Sequence, residues 1–223
     1  MSYALEPMTV AELQQFVGLD FATKFNNEIE PVVAPLRKYV NMGRSIALDK
    51  SIWEYFVTDS IPGAKWCGAG KGIADVQIGL DTSIDVKSLY YKGSTTTEAS
   101  MCQRLLTGES AGMYNLFDPA TLFDLLVTTW LHKVSGSGNY YLLAIVKDQN
   151  MRCSLIGMKV SNTNIIFDPA AITSLKASIV VNNLIDPKLA QVKLYRGKTR
   201  MEIRFRKSFF LNPAYSYNIW KGI

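Results

Sequence analysis

Residues 72–88 read GIADVQIGLDTSIDVKS, and with Leu89, Tyr90 and Tyr91 they form two apolar runs parted by the turn-prone Asp81-Thr82. Short β-rich runs on either side of such a break predict two consecutive strands folded back as a hairpin. Along a strand successive side chains alternate faces, so Ile84 and Val86 point one way while Asp85 and Lys87 point the other. Pairing of the two strands would then bring Asp75 on the first close to Asp85 on the second.

Two such carboxylates are hard oxygen ligands suited to magnesium, which accepts few protein carboxylates and keeps several waters. A cation held there polarises a phosphate, lowers the pKa of a bound water and neutralises charge in the transition state, and Lys87 stands beside it to orient or help deprotonate the nucleophile. The bare tripeptide [DE]-x-K carries little weight alone, since it arises by chance about once or twice in a chain of this size. Asp186-Pro187-Lys188 also matches, but its proline removes a ladder donor and its surroundings read as a turn.

Outward from the hairpin, Asp49 opens a helix carrying Ile52, Trp53, Glu54, Tyr55, Phe56 and Val57 that stops at Pro62-Gly63, and the loop CGAGKG (67–72) leads into the first strand. At the N-terminus, Thr9 and Glu12 make a capping box for a helix with Val10, Leu13, Phe16, Val17 and Phe21 on one face, interrupted by Pro31 and Pro35. The segments STTTEASMCQRLLTG (94–108) and LFDLLVTTWLHK (122–133), the latter behind Asp118-Pro119, predict two further helices. Beyond Gly138 the runs YYLLAIVK, CSLIGMKV, IIF, SIVV, QVKLY and TRMEIRF predict strands, with a short helix after Asp168-Pro169. The chain therefore reads as one mixed α/β (α+β) domain: an N-terminal helical part over 1–48, a core over 49–160 and a β-rich part over 161–223.

The order helix with Glu54, Gly-containing loop, Asp75, strand with Asp85-Val86-Lys87, then helix resembles the core of the PD-(D/E)xK nucleases, and among them the type II restriction endonucleases. The likeness covers roughly residues 49–107, with Ala74 where the proline often stands. It implies a central mixed sheet flanked by helices, with Asp75, Asp85 and Lys87 as catalytic residues. Metal ligation would fall to Asp75, Asp85, the Val86 carbonyl and Glu54, with Glu28 and Glu30 as weaker substitutes for the last. The cofactor implied is Mg2+, with Mn2+ able to substitute, and the activity is cutting of double-stranded DNA at a specific palindromic site. Cutting both strands symmetrically calls for a homodimer. A repair, junction or mobile-element nuclease of the same superfamily and a non-enzymatic nucleic-acid-binding module are the competing readings.

Over 223 residues the formal net charge is +5 and the pI about 9.0, which suits a polyanionic partner. Three scattered cysteines, Cys67, Cys102 and Cys153, form no C-x-x-C, so neither a disulfide scaffold nor a zinc site is indicated. The N-terminus lacks the basic and apolar segments of a signal peptide and no run is long enough for a membrane span, which points to a soluble, cytoplasmic protein; the resemblance to restriction endonucleases implies a prokaryotic one. The sole histidine, His132, falls in the last turn of a helix, where positive charge suits the dipole. GAGKG departs from the nucleotide-binding P-loop, since Lys65 occupies the place of its first glycine. Lys71 in that loop is a candidate phosphate contact. A second candidate is the hairpin QVKLYRGKTRMEIRFRK (191–207), with Met201, Ile203 and Phe205 on one face and Arg200, Glu202, Arg204 and Arg206 on the other. Lys193, Arg196 and Lys198 add charge there, making a ribbon suited to a DNA groove.

Overall fold

The computed structural model describes residues 4–42, 48–68, 74–91, 96–103, 130–131, 134–136, 138–161, 172–175, 178–182, 184–195 and 200–222. Strand β1 (Leu5–Pro7) precedes helices α1 (Val10–Val17) and α2 (Phe21–Val33), a 3-10 turn at Ala34–Leu36, α3 (Arg37–Asn41) and α4 (Lys50–Ser60). Strands β2 (Ala64–Trp66), β3 (Val76–Ile78), β4 (Thr82–Tyr90), β5 (Thr96–Gln103), β6 (Asn139–Lys147) and β7 (Cys153–Val160) follow. The remainder is β8 (Ile172–Leu175), β9 (Ser178–Val181), β10 (Ala190–Tyr195), β11 (Arg200–Arg206), one helical turn at Lys207–Phe210, and β12 (Tyr217–Trp220).

Two sheets result. The first runs β1-β7-β6-β4-β3-β2, with β12 also pairing β7, and the second runs β5-β11-β10-β9-β8. In the first sheet β4 and β6 are parallel while the other neighbours are antiparallel, so it is a mixed sheet. The two-residue alternation of β4 and β6 sorts their side chains onto two cores. Val76, Ile84, Val86, Leu143 and Ile145 pack under α1, α2 and α4 with Phe25, Trp53 and Phe56. Leu89, Leu142, Ala144 and Ile156 pack on the opposite side with Val192, Met201, Ile203 and Phe205 of the second sheet. Strand β6 is consequently buried on both faces, as its nearly unbroken apolar run requires.

Several expectations hold. Thr9 and Glu12 form a complete capping box, with the Thr9 N–H donating to the Glu12 carboxylate at 2.7 Å. Asp49 caps α4, its carboxylate accepting from the Ser51 N–H at 2.9 Å. The 191–207 segment is an antiparallel pair, Tyr195 opposite Arg200, and its Met201, Ile203 and Phe205 are fully buried.

Others are corrected. Within the segment 94–108, expected as a helix and otherwise outside the described residues, Thr96–Gln103 is instead strand β5, paired antiparallel with β11. Its β-branched start has weak helix propensity, and an open edge on β11 offers it a full ladder, so the tertiary partner decides. The N-terminal helix breaks at Gly18, which adopts φ +97, rather than at the prolines. Pro31 is carried inside α2 and Pro35 sits in the 3-10 turn that follows. The hairpin turn is Gly79–Asp81, with Thr82 already in β4. The greater part of 122–133, including His132, and the segments 162–171 and 196–199 lie outside the described residues. No helix among the described residues is long and apolar enough to cross a membrane.

Gly157 of β7 lets α1 approach the sheet. A methyl group there would lie 2.5 Å from a Leu13 methyl carbon and 3.1 Å from both a Leu143 methyl carbon and the Met8 sulfur. Gly157→Ala is expected to destabilise the fold by about 1–3 kcal/mol through overpacking, read as a lower urea midpoint at unchanged slope.

Candidate active site

The β3–β4 register ends with Val76 opposite Ile84, and Asp75, the residue just before β3, comes within hydrogen-bonding reach of Asp85. Asp75 continues the pairing with its own N–H, which donates to the Ile84 carbonyl at 3.1 Å, while its carbonyl accepts from the Cys67 N–H at 2.9 Å. The next donor along that edge of β4 is the Val86 N–H, and β3 has ended there. The Asp75 carboxylate takes it, Oδ2 accepting at 2.7 Å. A side chain thus completes the ladder and pins Asp75 between Asp85 and Lys87.

Asp85 is 1% exposed, a burial that a carboxylate tolerates only with its oxygens partnered. Oδ1 pairs with the Lys87 ammonium on its own strand, and Oδ2 accepts from the Tyr140 hydroxyl of β6 at 3.1 Å. Tyr140 reaches Asp85 because β4 and β6 run parallel with Ser83 beside Tyr140 and Asp85 beside Leu142. Tyr140→Phe deletes one partner of a buried carboxylate and is expected to cost about 1–3 kcal/mol, measurable by chemical denaturation.

Helix α4 supplies a third acid. Glu54 is 1% exposed; its Oε2 accepts from Trp66 Nε1 of β2 at 3.2 Å. Its Oε1 has no aligned hydrogen bond and faces the Lys50 ammonium at 2.8 Å as an ion pair. Lys50, one turn before Glu54, also lies 3.5 Å from Asp75 Oδ1 and so links the helix acid to the strand acids. Burial pulls the Lys50 pKa down, but the Glu54 contact and the charges of Asp75, Glu54 and Asp85 outweigh it, leaving the ammonium above its ordinary value.

The Asp75 carboxyl is raised well above its ordinary value. Burial, then the negative charge of Asp85, then a hydrogen bond shared with Asp85 raise it to about 7, against the partial relief given by Lys87 and Lys50. Burial beside a second carboxylate thus disfavours the charged form of Asp75.

Asp75 lies beside Asp85, which pairs with Lys87, while Glu54 reaches this group only through Lys50; the Val86 carbonyl belongs to the strand residue between Asp85 and Lys87. Of the alternative acids, Glu30 pairs with Arg37 and Glu28 lines a groove on α2. Among the described residues no set of three or more His, Cys, Asp or Glu side chains is gathered at metal-binding separation. Lys50 and Trp66 hold Glu54 instead. Sequence reasoning missed Lys50, Tyr140 and Trp66. The i, i+4 spacing of Lys50 and Glu54 was a usable signal; the Tyr140 contact, 55 residues from Asp85, left none.

The basic positions are dispersed. Lys193 is 8% exposed and stands opposite Glu202, itself 6% exposed, across β10–β11. Arg204 and Arg206 are half-buried on β11, and Arg200 lies on the same strand. Lys71, Arg196 and Lys198 lie outside the described residues. Cys153 is buried, which pushes its thiol up to about 12 and keeps it uncharged. Compared with protein-family models, curated proteins and solved structures, the chain finds no match, so its chemistry is argued from this cluster alone.

Proposed function

We propose that the chain is a metal-dependent endodeoxyribonuclease of the PD-(D/E)xK type, acting as a homodimer on a specific site in double-stranded DNA. The observation that carries this reading is the register of β3 and β4, which sets Asp75 against Asp85 with Lys87 on the same face. Further support is the sheet around them: an antiparallel β2-β3-β4 meander, a preceding helix bearing Glu54, and β6 parallel to β4.

The donor set fits a divalent cation. Two abutting carboxylates repel one another unless a proton or cation intervenes, and after burial the charge of Asp85 is the next cause that raises Asp75 to about 7. Asp75 and Asp85 would hold Mg2+ or Mn2+, with the Val86 carbonyl nearby; Glu54 would join them only on giving up its ion pair with Lys50. When bound, such an ion polarises the scissile phosphate and acidifies a water.

The chain's own groups do the rest. Tyr140 holds one oxygen of Asp85 and the Val86 N–H one oxygen of Asp75, while the other two oxygens face the ammonium groups of Lys87 and Lys50. Lys87, relieved of part of its bond to Asp85, is placed to orient the attacking water and to meet the negative charge that builds on the phosphate. Lys50, more than half exposed, can turn from Glu54 and Asp75 toward DNA phosphate.

The test is incubation of the purified chain with long duplex DNA and magnesium, beside a chelator control and Lys87→Ala. Discrete fragments from the parent alone support a site-specific endonuclease, and end-sequencing then gives its target. A smear lost in both controls moves the reading to a repair or junction nuclease. DNA left intact throughout removes the nuclease reading and favours a binding module.

A further inference from the structure

Beside the acidic cluster lies a groove that the chemistry above leaves unused. It runs between α2 and α4 and is walled chiefly by Pro31, Ile52, Tyr55 and Trp66, with a volume of about 490 Å3. That volume falls within the range of about 300–1,000 Å3 for small-ligand sites. Tyr55 and Trp66 are 50% and 44% exposed, unusually open for such large aromatic side chains. Their rings meet edge to face at 6.4 Å and 78°, so they present two flat walls at an angle. Asn27 and Glu28 of α2 add an amide and a carboxylate to the same lining.

Two features link the groove to the acids. Trp66 donates its indole N–H to Glu54 while another part of the same side chain lines the groove. Ser51 and Ile52, also in the lining, directly follow Lys50, whose ammonium touches Glu54 and Asp75. An apolar aromatic slot therefore lies next to a half-exposed cation, which is the pairing of surfaces a nucleotide presents: a flat base on a charged phosphate.

We propose that this groove is a stacking subsite for an unpaired nucleobase of the DNA substrate, laid on the exposed face of Tyr55 with Trp66 walling the groove beside it, while Lys50 meets its phosphate. The inference deepens the nuclease reading and rests on it. Asn27, Glu28 and Ser51 are the polar residues along the groove, within which the edge of the base would lie. The base comes from a strand end or from a nucleotide displaced out of the duplex, since a stacked and paired base has no free face.

The test uses the full chain in calcium and follows the anisotropy of a fluorescein-labelled single-stranded oligonucleotide of mixed sequence. Its partner is the same backbone with abasic sites in place of the bases. The parent is expected to bind the base-bearing strand at least about fivefold more tightly, and Tyr55→Ala, a change at a half-exposed ring, to bind both strands alike with an unaltered melting curve. Trp66→Phe keeps a ring in the groove and should retain most of the preference. Equal binding of the two strands by the parent, binding of neither, or full preference in Tyr55→Ala overturns the subsite. Magnesium-dependent cleavage of plasmid by the parent is scored in parallel. Cleavage without base preference rejects the subsite and leaves the nuclease; base preference without cleavage keeps the subsite and rejects the nuclease.

Discussion

Asp85→Asn should slow magnesium-dependent cleavage by at least about a thousandfold while leaving the metal-free protein nearly as stable as the parent. The loss follows from the proposed role: an interaction made with the cation in the transition state is worth several kcal/mol, and each 1.36 kcal/mol is a factor of ten. The sparing of stability follows from the geometry. Asparagine keeps the volume of a side chain that is 1% exposed and keeps an oxygen for the Tyr140 hydroxyl. The cost is the loss of the Lys87 ion pair, and against it stands the removal of the charge and shared hydrogen bond that raise Asp75. Lys87 then has Asp75 as its remaining nearby anion. A structural ion pair would behave in the opposite way, since removing one partner leaves a buried charge uncompensated at a cost of about 3–5 kcal/mol. Cleavage rates on defined DNA and urea denaturation of both proteins decide between the two. Activity within tenfold of the parent, or a stability loss in that range, would make the cluster scaffold rather than machinery.

The second large effect is on pH. Asp75 is held at about 7 in the folded chain, whereas an unperturbed aspartate titrates near 4. Between those values the folded state binds more protons than the unfolded state, so unfolding free energy falls as pH rises. The group is neutral in both states below about 4, and the penalty is fully present above about 7, where it amounts to at most about 4 kcal/mol. A cation that replaces the shared proton must displace it, so magnesium or calcium affinity should climb about tenfold per pH unit up to about 7 and then level off. Urea denaturation at pH 5 and pH 8, in chelator and in calcium, reads both consequences. Without metal the protein should be the less stable at pH 8, and calcium should restore it there and do little at pH 5. Asp75→Asn should flatten both dependences. Calcium acting equally at the two pH values would separate Asp75 from the cation site.

The parts of this molecule that were legible in sequence are those in which neighbours along the chain are also neighbours in space. The capping box at Thr9, the Asp49 cap with its amphipathic α4, the β3–β4 hairpin and the β10–β11 pair each depend on spacings of a few residues, which periodicity and turn chemistry encode. Where local preference was weak or the partner distant, the reading failed. Residues 96–103 became a strand because β11 accepted them, and Leu5–Pro7, Ala64–Trp66 and Tyr217–Trp220 are strands of three or four residues that only their ladder partners stabilise.

The site divides in the same way. By itself the sequence determined that Asp85 and Lys87 share one face of a strand and that a short turn returns Asp75 to them, because strand alternation and hairpin pairing are local geometry. The tertiary structure alone decided that Asp85 is buried against Tyr140, that Lys50 ties Glu54 to Asp75, and that an aromatic groove opens beside them. Those contacts join elements whose separation along the chain is set by packing, the parallel β4–β6 register and the seating of α4 on the sheet, and packing of that kind leaves no periodic trace in the chain.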